Sequence, residues 1–464
     1  MKYRISFLLF FTSLISIAQT PNYSEDIAPI IYNKCLQCHH SGGVAPNSFE
    51  TYASTVFNAG MIQHVTSNGE MPPWPPDTLF QSYSYENTLT SDEITKITDW
   101  VLNGSPLGDT SLLPSMPDFS NTSILGPGDL ELKIPNYYSN ANTSDDYVCF
   151  SIPTGLVEDK RVRAIEIIPG NLSIVHHVIV AVDTMPNSSV ITTSDCMGPE
   201  GNFIYGYAPG SKPIVYPNSI SNDFGITLPA GSSISLGMHY PEGSYGIMDS
   251  TKVVFHFYEE TTNFRDITTA FLIANFDFIL PPNQITTVSD SFGPLPQDMS
   301  VMSILPHMHL LGKDIECIAV TPANDTINLI RINNWDFEWQ GFYFFEKFLK
   351  IPSGSMIYAQ GSYDNTISIT NPNPVFVTAG DNTSDEMFVF GFQFLPYMNG
   401  DENIIIETSF ISSIIDESDI SNTDSRKILK FFDLIGREIP RPYPNQPYFI
   451  LFDDGIIERR IILE

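Results

Sequence analysis

The chain has 464 residues, too many for one hydrophobic core, and its size alone implies two to four domains. Its 22 Lys+Arg against 53 Asp+Glu give a formal charge of -31, which argues against nucleic acid and anionic membrane surfaces as partners. Aromatic residues make up 12%, so the acidity is not that of a disordered acidic chain.

Residues 1–18 read as a secretory signal peptide. Met1-Lys2-Tyr3-Arg4 is basic, Phe7 to Ile17 is apolar apart from a few hydroxyls, and Ser16-Ile17-Ala18 closes the stretch with small residues at cleavage spacing. No later apolar run of about 18 residues follows, so the expectation is a soluble protein outside the cytoplasm.

Residues 19–110 centre on Cys35-Leu36-Gln37-Cys38-His39, the c-type haem attachment pattern. Cys35 and Cys38 would form the thioethers and His39 the proximal iron ligand. Ser24 to Tyr32 predicts a helix capped by Ser24, with Ile27, Ile30 and Ile31 as its buried stripe. Thr90 opens a second helix running to Leu102, with Ile94, Ile97, Trp100 and Val101 on one side. Met71, in the proline-rich run Gly69 to Pro76, is the expected distal ligand, with Met61 and His64 as alternatives; His40 is expected to be an exposed neighbour. The segment resembles class I cytochrome c domains, which commonly pair the haem motif with a later methionine followed by proline. Residues 111–128, rich in Ser, Pro, Gly and Asn, read as linker.

From 129 to 412 helical periodicity gives way to short β-branched and aromatic runs between Pro, Gly and Asn turns. Arg161 to Ile168, Ile174 to Val182, Ser233 to Met238, Lys252 to Tyr258, Asp314 to Val320 and Met387 to Phe394 are examples. The pattern predicts a mainly β body of two jelly-roll-like sandwiches, 129–265 and 266–412. Five of the nine histidines fall in three short apolar segments: His176-His177, Met238-His239 and Pro306-His307-Met308-His309. Adjacent histidines in a strand point to opposite faces, whereas His307 and His309 would share one. Imidazole-rich sets on rigid strands favour Cu, Zn, Fe or Ni.

These segments carry a resemblance to the copper type II, ascorbate-dependent monooxygenases, the family of peptidylglycine alpha-hydroxylating monooxygenase and dopamine beta-monooxygenase. His176-His177 matches the family's adjacent pair, and Met238-His239-Tyr240 matches its third histidine in a strand ending His-Tyr. His307-Met308-His309-Leu310-Leu311-Gly312-Lys313 matches its His-x-His before Leu-Gly-Lys with one exchange, and Met387 matches its late methionine after an acidic turn. Phe203 to Tyr207, Trp335 to Gln340 and Tyr363-Asp364-Asn365 look like further landmarks. The resemblance implies two copper ions: an electron-storing one on His176, His177 and His239, and an oxygen-activating one on His307, His309 and Met387. It implies O2 and a small or hydrophobic organic substrate as reactants, an ascorbate-like or protein reductant, and a Cys149–Cys196 disulfide clamping the strand with the paired histidines. The fused haem would pass electrons in. A soft thioether beside two imidazoles favours Cu(I), which gives Met387 a chemical reason to be the odd ligand. Cys317 reads as a buried free thiol and His256 as structural. The peptide-hydroxylating members hold a substrate carboxylate with an arginine, tyrosine and asparagine; the matching positions here are Leu305, Gly391 and Val389, so a glycine-extended peptide is not expected.

Residues 413–464 combine an acidic stretch, a strand over Arg426 to Ile435, a proline-punctuated segment and a final Asp-Asp-Gly strand pair. They resemble a C-terminal sorting domain of the type IX secretion system, which with the signal peptide implies export to the cell surface or medium through that machinery. A non-catalytic copper and haem electron-transfer or copper-binding surface protein is the competing reading.

Overall fold

In the computed structural model the chain forms two compact units, Met1–Thr408 and Ser409–Glu464. The structure describes residues 20–406, apart from 118, 120, 121, 186–188, 197, 220, 221, 260, 262, 338 and 381, together with 428–432, 438, 439, 447–452 and 457–461. The signal-peptide expectation lies outside these residues. Among the described residues no helix is long and apolar enough to cross a membrane. The architecture is predominantly β, with several sheets and a few helices near the N-terminus.

The first unit opens with helices. The cap expected at Ser24 is supplied two residues earlier: Asn22 Oδ1 accepts from Glu25 N at 3.0 Å, and the Asp26 carboxylate accepts from Asn22 N at 2.9 Å. A wide turn, Tyr23–Ile27, therefore precedes the helix Ala28–Lys34. Ser24 is buried and donates to Leu107 O at 2.8 Å, so its hydroxyl ties the helix start to the end of the domain. Thr90 caps Ser91–Leu102 as expected, in a reciprocal box with Glu93. Two further helices, Tyr52–Phe57 and Ala59–Ser67, were not foreseen. Thr51 caps the first through Ser54, a weaker signal than a Glu at that position. Tyr23, Ile31, Leu36, Ile62, Ile97 and Trp100 form the apolar centre of this segment.

The linker is anchored. Ser123 Oγ and Ile124 N donate to the buried Glu166 carboxylate at 2.5 and 3.0 Å. The first β half then builds two sheets. One runs in the order Leu130–Lys133, Lys252–Phe257, Lys160–Ile168, Asp223–Leu228 and Phe264–Asp266, with Ile214–Val215 beside the third. The other runs Ile191–Ser194, Asp146–Pro153, Ser233–Tyr240, His177–Asp183 and Asn202–Tyr207. Side chains from both sheets, among them Phe150, Val180, Leu236, Ile165, Phe224 and Phe255, share one core. Every residue of Ser233–Tyr240 is buried, because it is the middle strand of its sheet and covered on both faces.

The second half repeats the scheme. Thr268–Asn275, Phe388–Pro396, Met299–His307 and Tyr343–Ile351 form one sheet; Ile285–Phe292, Met356–Asp364, Gly312–Val320 and Thr326–Ile332 form the other. Its first strand starts at Thr268, earlier than the Phe271 expected, and Ile267 is buried between the halves. The halves are joined by polar and apolar contacts: Arg265 pairs with Asp401, Gln393 Nε2 donates to Ile204 O at 3.0 Å, and Phe348 packs 5.1 Å from Phe224.

The second unit, described by itself, is an antiparallel sheet in the order Glu438–Ile439, Ile428–Phe432, Pro447–Phe452 and Ile457–Ile461. The strand expected over 426–435 is present at Ile428–Phe432; its flanks lie outside the described residues.

Candidate functional site

His239 lies in the middle strand Ser233–Tyr240, whose register sets it opposite Tyr147 on one side and His177 on the other. Cross-strand neighbours share a face, so His177 and His239 stand side by side. His176 lies just before the strand, after a turn over Asn171–Val175, and its backbone N donates to His239 O at 3.0 Å. The expectation that His176 and His177 diverge to opposite faces is therefore wrong: the alternation rule stops where the strand stops. The three rings converge. His177 Nδ1 lies 3.3 Å from His176 Nδ1 and 3.2 Å from His239 Nδ1.

Two nitrogens held tetrahedrally by one metal at the usual bond length lie roughly 3.3 Å apart, so the spacing is that of a ligand set. His239 Nε2 donates to Asp145 Oδ2 at 3.0 Å, which fixes the tautomer and leaves Nδ1 its lone pair. Burial, followed by the neighbouring His239, His176 and His307, holds the His177 imidazole well below its ordinary range, so it stays a neutral ligand. Tyr147 stacks on His239 with centroids 4.4 Å apart, and its hydroxyl shares a 2.9 Å hydrogen bond with Thr383 of the second half. An Asp145→Asn variant is expected to bind a metal ion at this cluster about 10–100-fold more weakly, the usual cost of losing a ligand's carboxylate partner. Competition with a chelator of known affinity measures it, and unchanged affinity would remove Asp145 from the site.

Cys149 and Cys196 are joined, with Cα atoms 5.5 Å apart. The bridge does not brace the strand of the paired histidines. Cys149 lies on Asp146–Pro153, which pairs with Ile191–Ser194, so the bond fixes the strand that carries Tyr147.

The second pair closes another strand. His307 ends Met299–His307, and His309 lies in the turn before Gly312–Val320. Both rings are oriented from behind. His307 Nδ1 donates to Gln340 Oε1 at 2.6 Å, while Gln340 Nε2 donates to Phe337 O at 2.7 Å and so fixes which amide atom faces the ring. His309 Nδ1 donates to Asp385 O at 3.0 Å. Each ring is left with Nε2 as its lone pair, and the centroids are 5.1 Å apart. Burial, and then the charge of His309, pushes His307 down to about 4. The turn is tight: a Cβ on Gly312 would meet Trp335 Cδ1 at 2.6 Å and Met308 Cβ at 3.0 Å.

Glu386, which the sequence reading passed over, holds this turn. Its buried carboxylate accepts from His309 N at 2.9 Å and Leu311 N at 2.5 Å. Burial raises its pKa to about 7 against the pull of those bonds. Met387 follows directly; its carbonyl accepts from Tyr363 Oη at 2.5 Å, and it leads into Phe388–Pro396, where Val389 lies opposite His307. Two positions before His307 on the same strand, Leu305 lies opposite Gly391, and Phe271 opposite Gly391 on the other side. A Cβ at Gly391 would meet Phe271 at 3.2 Å and Leu305 at 3.5 Å, so this wall is apolar.

Cys35 and Cys38 are free thiols just past the helix Ala28–Lys34. Burial pushes the Cys35 thiol up to about 12 and raises Cys38 too, so neither is a ready thiolate. His39 Nδ1 donates to Asn47 O at 2.8 Å, leaving Nε2 as the ligand atom, and the ring stacks 4.3 Å from Phe49. These residues fit covalent haem attachment. His40 corrects its expectation: it is buried and stacks 4.1 Å from Phe119 at an interplanar angle of 3°. Met71 is 41% exposed in the turn after Ala59–Ser67, a helix that also carries Met61 and His64. Cys317 and His256 are buried in their strands as expected.

Among solved structures the chain is similar to infectious bursal disease virus Gx strain, at 9% identity over 63% of this chain and 77% of that chain with a TM-score of 0.16. It is also similar to Bacillus subtilis oxalate decarboxylase, at 7% over 62% and 82% with a TM-score of 0.16. Scores this low carry no argument. The chain is 24% identical over 340 residues to DBH-like monooxygenase protein 1 of Mus musculus, 67% of this chain and 51% of the relative, and so spans about half that relative's length. Residues 277–404, which hold His307, His309, Gln340, Glu386 and Met387, match the family model of the copper type II ascorbate-dependent monooxygenase C-terminal domain, and with the three-histidine cluster this supports a broad metal-binding, oxidoreductase role.

Proposed function

We propose that the chain is an exported copper-dependent monooxygenase that hydroxylates a C–H bond of an organic substrate. The overall reaction is R–H + O2 + 2 electrons + 2 H⁺ → R–OH + H2O, with the electrons drawn from an ascorbate-like reductant or a redox protein. The observation that carries this reading is the shared orientation of His307 and His309. Each gives its Nδ1 proton to a fixed acceptor and keeps Nε2 for a metal, inside the segment that matches the family model.

Copper at the two centres would supply one-electron storage at His176, His177 and His239 and dioxygen reduction at His307, His309 and Met387. The protein's part is to keep the imidazoles neutral by burial, to fix their tautomers through Asp145, Gln340 and Asp385, and to present the apolar wall of Leu305 and Phe271 to the substrate. A haem c on Cys35, Cys38 and His39, with Met71 as the proposed distal ligand, would supply an electron entry point. The two β halves are read as jelly rolls, the first segment as cytochrome c-like, and the last as a type IX sorting module.

The test uses copper-loaded full-length protein with ascorbate and ¹⁸O2. The probes are small, hydrophobic organic compounds with activated C–H bonds, phenethylamine and neutral alkylbenzenes. Incorporation of one ¹⁸O per product, lost in the His309→Ala variant, is expected. Copper and haem that cycle without any labelled product would favour the electron-transfer reading instead.

A further inference from the structure

Asp145 and Tyr147 hold one imidazole from two directions. The Asp145 carboxylate accepts from His239 Nε2 at 3.0 Å, at the ring's edge. The Tyr147 ring covers its face, with centroids 4.4 Å apart and planes 7° from parallel. Tyr147 is itself fixed from behind: Cys196 N donates to its carbonyl at 3.2 Å, and the Cys149–Cys196 bridge closes two residues further on.

The phenol of that ring reaches out of the first half. It shares its 2.9 Å hydrogen bond with Thr383 Oγ1, 236 positions along the chain, and the bond is partly buried. Thr383 sits in a closed turn. Asp385 N donates to Asn382 O at 2.8 Å, and Asn382 N and Nδ2 donate to Asp385 Oδ2 at 3.2 and 2.7 Å. Gly380 N donates to Glu386 O at 3.0 Å, and a Cβ on Gly380 would meet Asp385 Oδ2 at 2.5 Å, so the turn has little room to slide. Two residues beyond Thr383, the Asp385 carbonyl accepts the Nδ1 proton of His309 at 3.0 Å. One chain of contacts therefore runs from His239 through Tyr147, Thr383 and Asp385 to His309.

We propose that Tyr147 is a positioning residue shared by the two histidine centres. Through Thr383 and Asp385 it ties the aim of the His239 ring to that of the His309 ring, so a change at either centre alters metal affinity at the other. Coupling between sites needs a physical element that both of them bias, and the Tyr147–Thr383 bond is that element. The proposal rests on the two-centre copper reading and deepens it.

The experiment uses full-length protein and Cu(II), with chelator competition giving affinity. Wild type that takes up no copper at either centre overturns the copper reading, and the coupling with it. With His307→Ala disabling the second centre, Thr383→Val is expected to weaken copper binding at His176, His177 and His239 at least twofold, although Thr383 supplies no ligand. A neutral hydrogen bond of this kind shifts an equilibrium by about two- to tenfold. Tyr147→Phe, which keeps the stacked ring, should weaken binding equally, and the two changes together no further than either alone. In the mirror experiment, with His176→Ala disabling the first cluster, Tyr147→Phe should weaken binding at His307 and His309 at least twofold. A bond that only fastened the halves would lower urea stability and leave both affinities within twofold. That result overturns the coupling and leaves the copper reading intact, as do losses that multiply in the double variant. Should either variant not fold, amide exchange of the His307→Ala protein decides. Copper at the three-histidine cluster is expected to slow exchange over residues 382–386 at least threefold and to leave Thr326–Ile332 unchanged. Equal rates over 382–386 with and without copper overturn the coupling.

Discussion

Glu386→Ala is expected to destabilise the protein by about 2–6 kcal/mol and, on the proposed copper reading, to weaken metal binding at His307 and His309. The carboxylate is 1% exposed and accepts from two backbone donors, His309 N and Leu311 N. Alanine takes the partner from the buried His309 N–H and from the part-buried Leu311 N–H. A fully buried unpaired group costs about 1–3 kcal/mol, so the upper figure applies only where water does not reach the second. The same two bonds shape the turn that aims the His309 ring, so the loss would reach a metal held there. Copper affinity at this pair should fall about 10–100-fold, as for other residues that position ligands. Glu386→Gln keeps one acceptor oxygen and should lose about half as much stability. Urea titration of the copper-free proteins gives the first number and chelator competition the second. If alanine lost stability while His307 and His309 bound copper as before, Glu386 would be a fold residue and not a positioning one.

Much of this frame was legible because β-branched runs bounded by turn residues are an unambiguous local signal. Arg161 to Ile168 and Lys252 to Tyr258 lie within a residue of the observed strands Lys160–Ile168 and Lys252–Phe257. The histidine segments stood out because imidazoles are rare among apolar strand residues. What escaped is set by distance along the chain. Gln340 and Asp385 orient rings 33 and 76 positions away, and nothing local in either marks that role. Gln340 lies in the landmark run Trp335 to Gln340 and Asp385 in the acidic turn before Met387, so the place was readable and the task was not. The convergence of His176 on His177 was missed for a different reason. Period-two alternation holds only inside a strand, and the strand begins at His177. The short helices Tyr52–Phe57 and Ala59–Ser67 lacked a long apolar stripe, and Gly60 interrupts the pattern.

The join between the β halves should be a sensitive point of the fold away from the histidine sites. Arg265 and Asp401 form a two-pronged pair, Nη1 to Oδ1 at 2.6 Å and Nη2 to Oδ2 at 3.0 Å, with side chains 11% and 3% exposed. Ser300 Oγ and Met398 N also donate to the same carboxylate, at 2.7 and 2.9 Å. Asp401→Ala leaves the largely buried guanidinium with Pro396 O, at 2.6 Å, as its remaining acceptor among the described residues, and breaking one side of such a pair costs up to about 3–5 kcal/mol. The Arg265→Met variant should cost less than that, because the carboxylate it leaves behind keeps two donors. Burial alone would raise the Asp401 pKa, but the bonds from Arg265, Met398 N and Ser300 outweigh it and hold the value below the ordinary aspartate range. A depressed folded-state pKa stabilises fully above the unfolded value, about 3.9, and the stabilisation is lost as pH falls through the folded value. The gap in unfolding free energy between wild type and Asp401→Asn should therefore be constant from neutral pH down to about pH 5 and close progressively below about pH 4. Urea titrations at a series of pH values measure both effects. A gap under about 1 kcal/mol at neutral pH, the range of an exposed pair, would mean that water reaches this pair and that the halves do not depend on it.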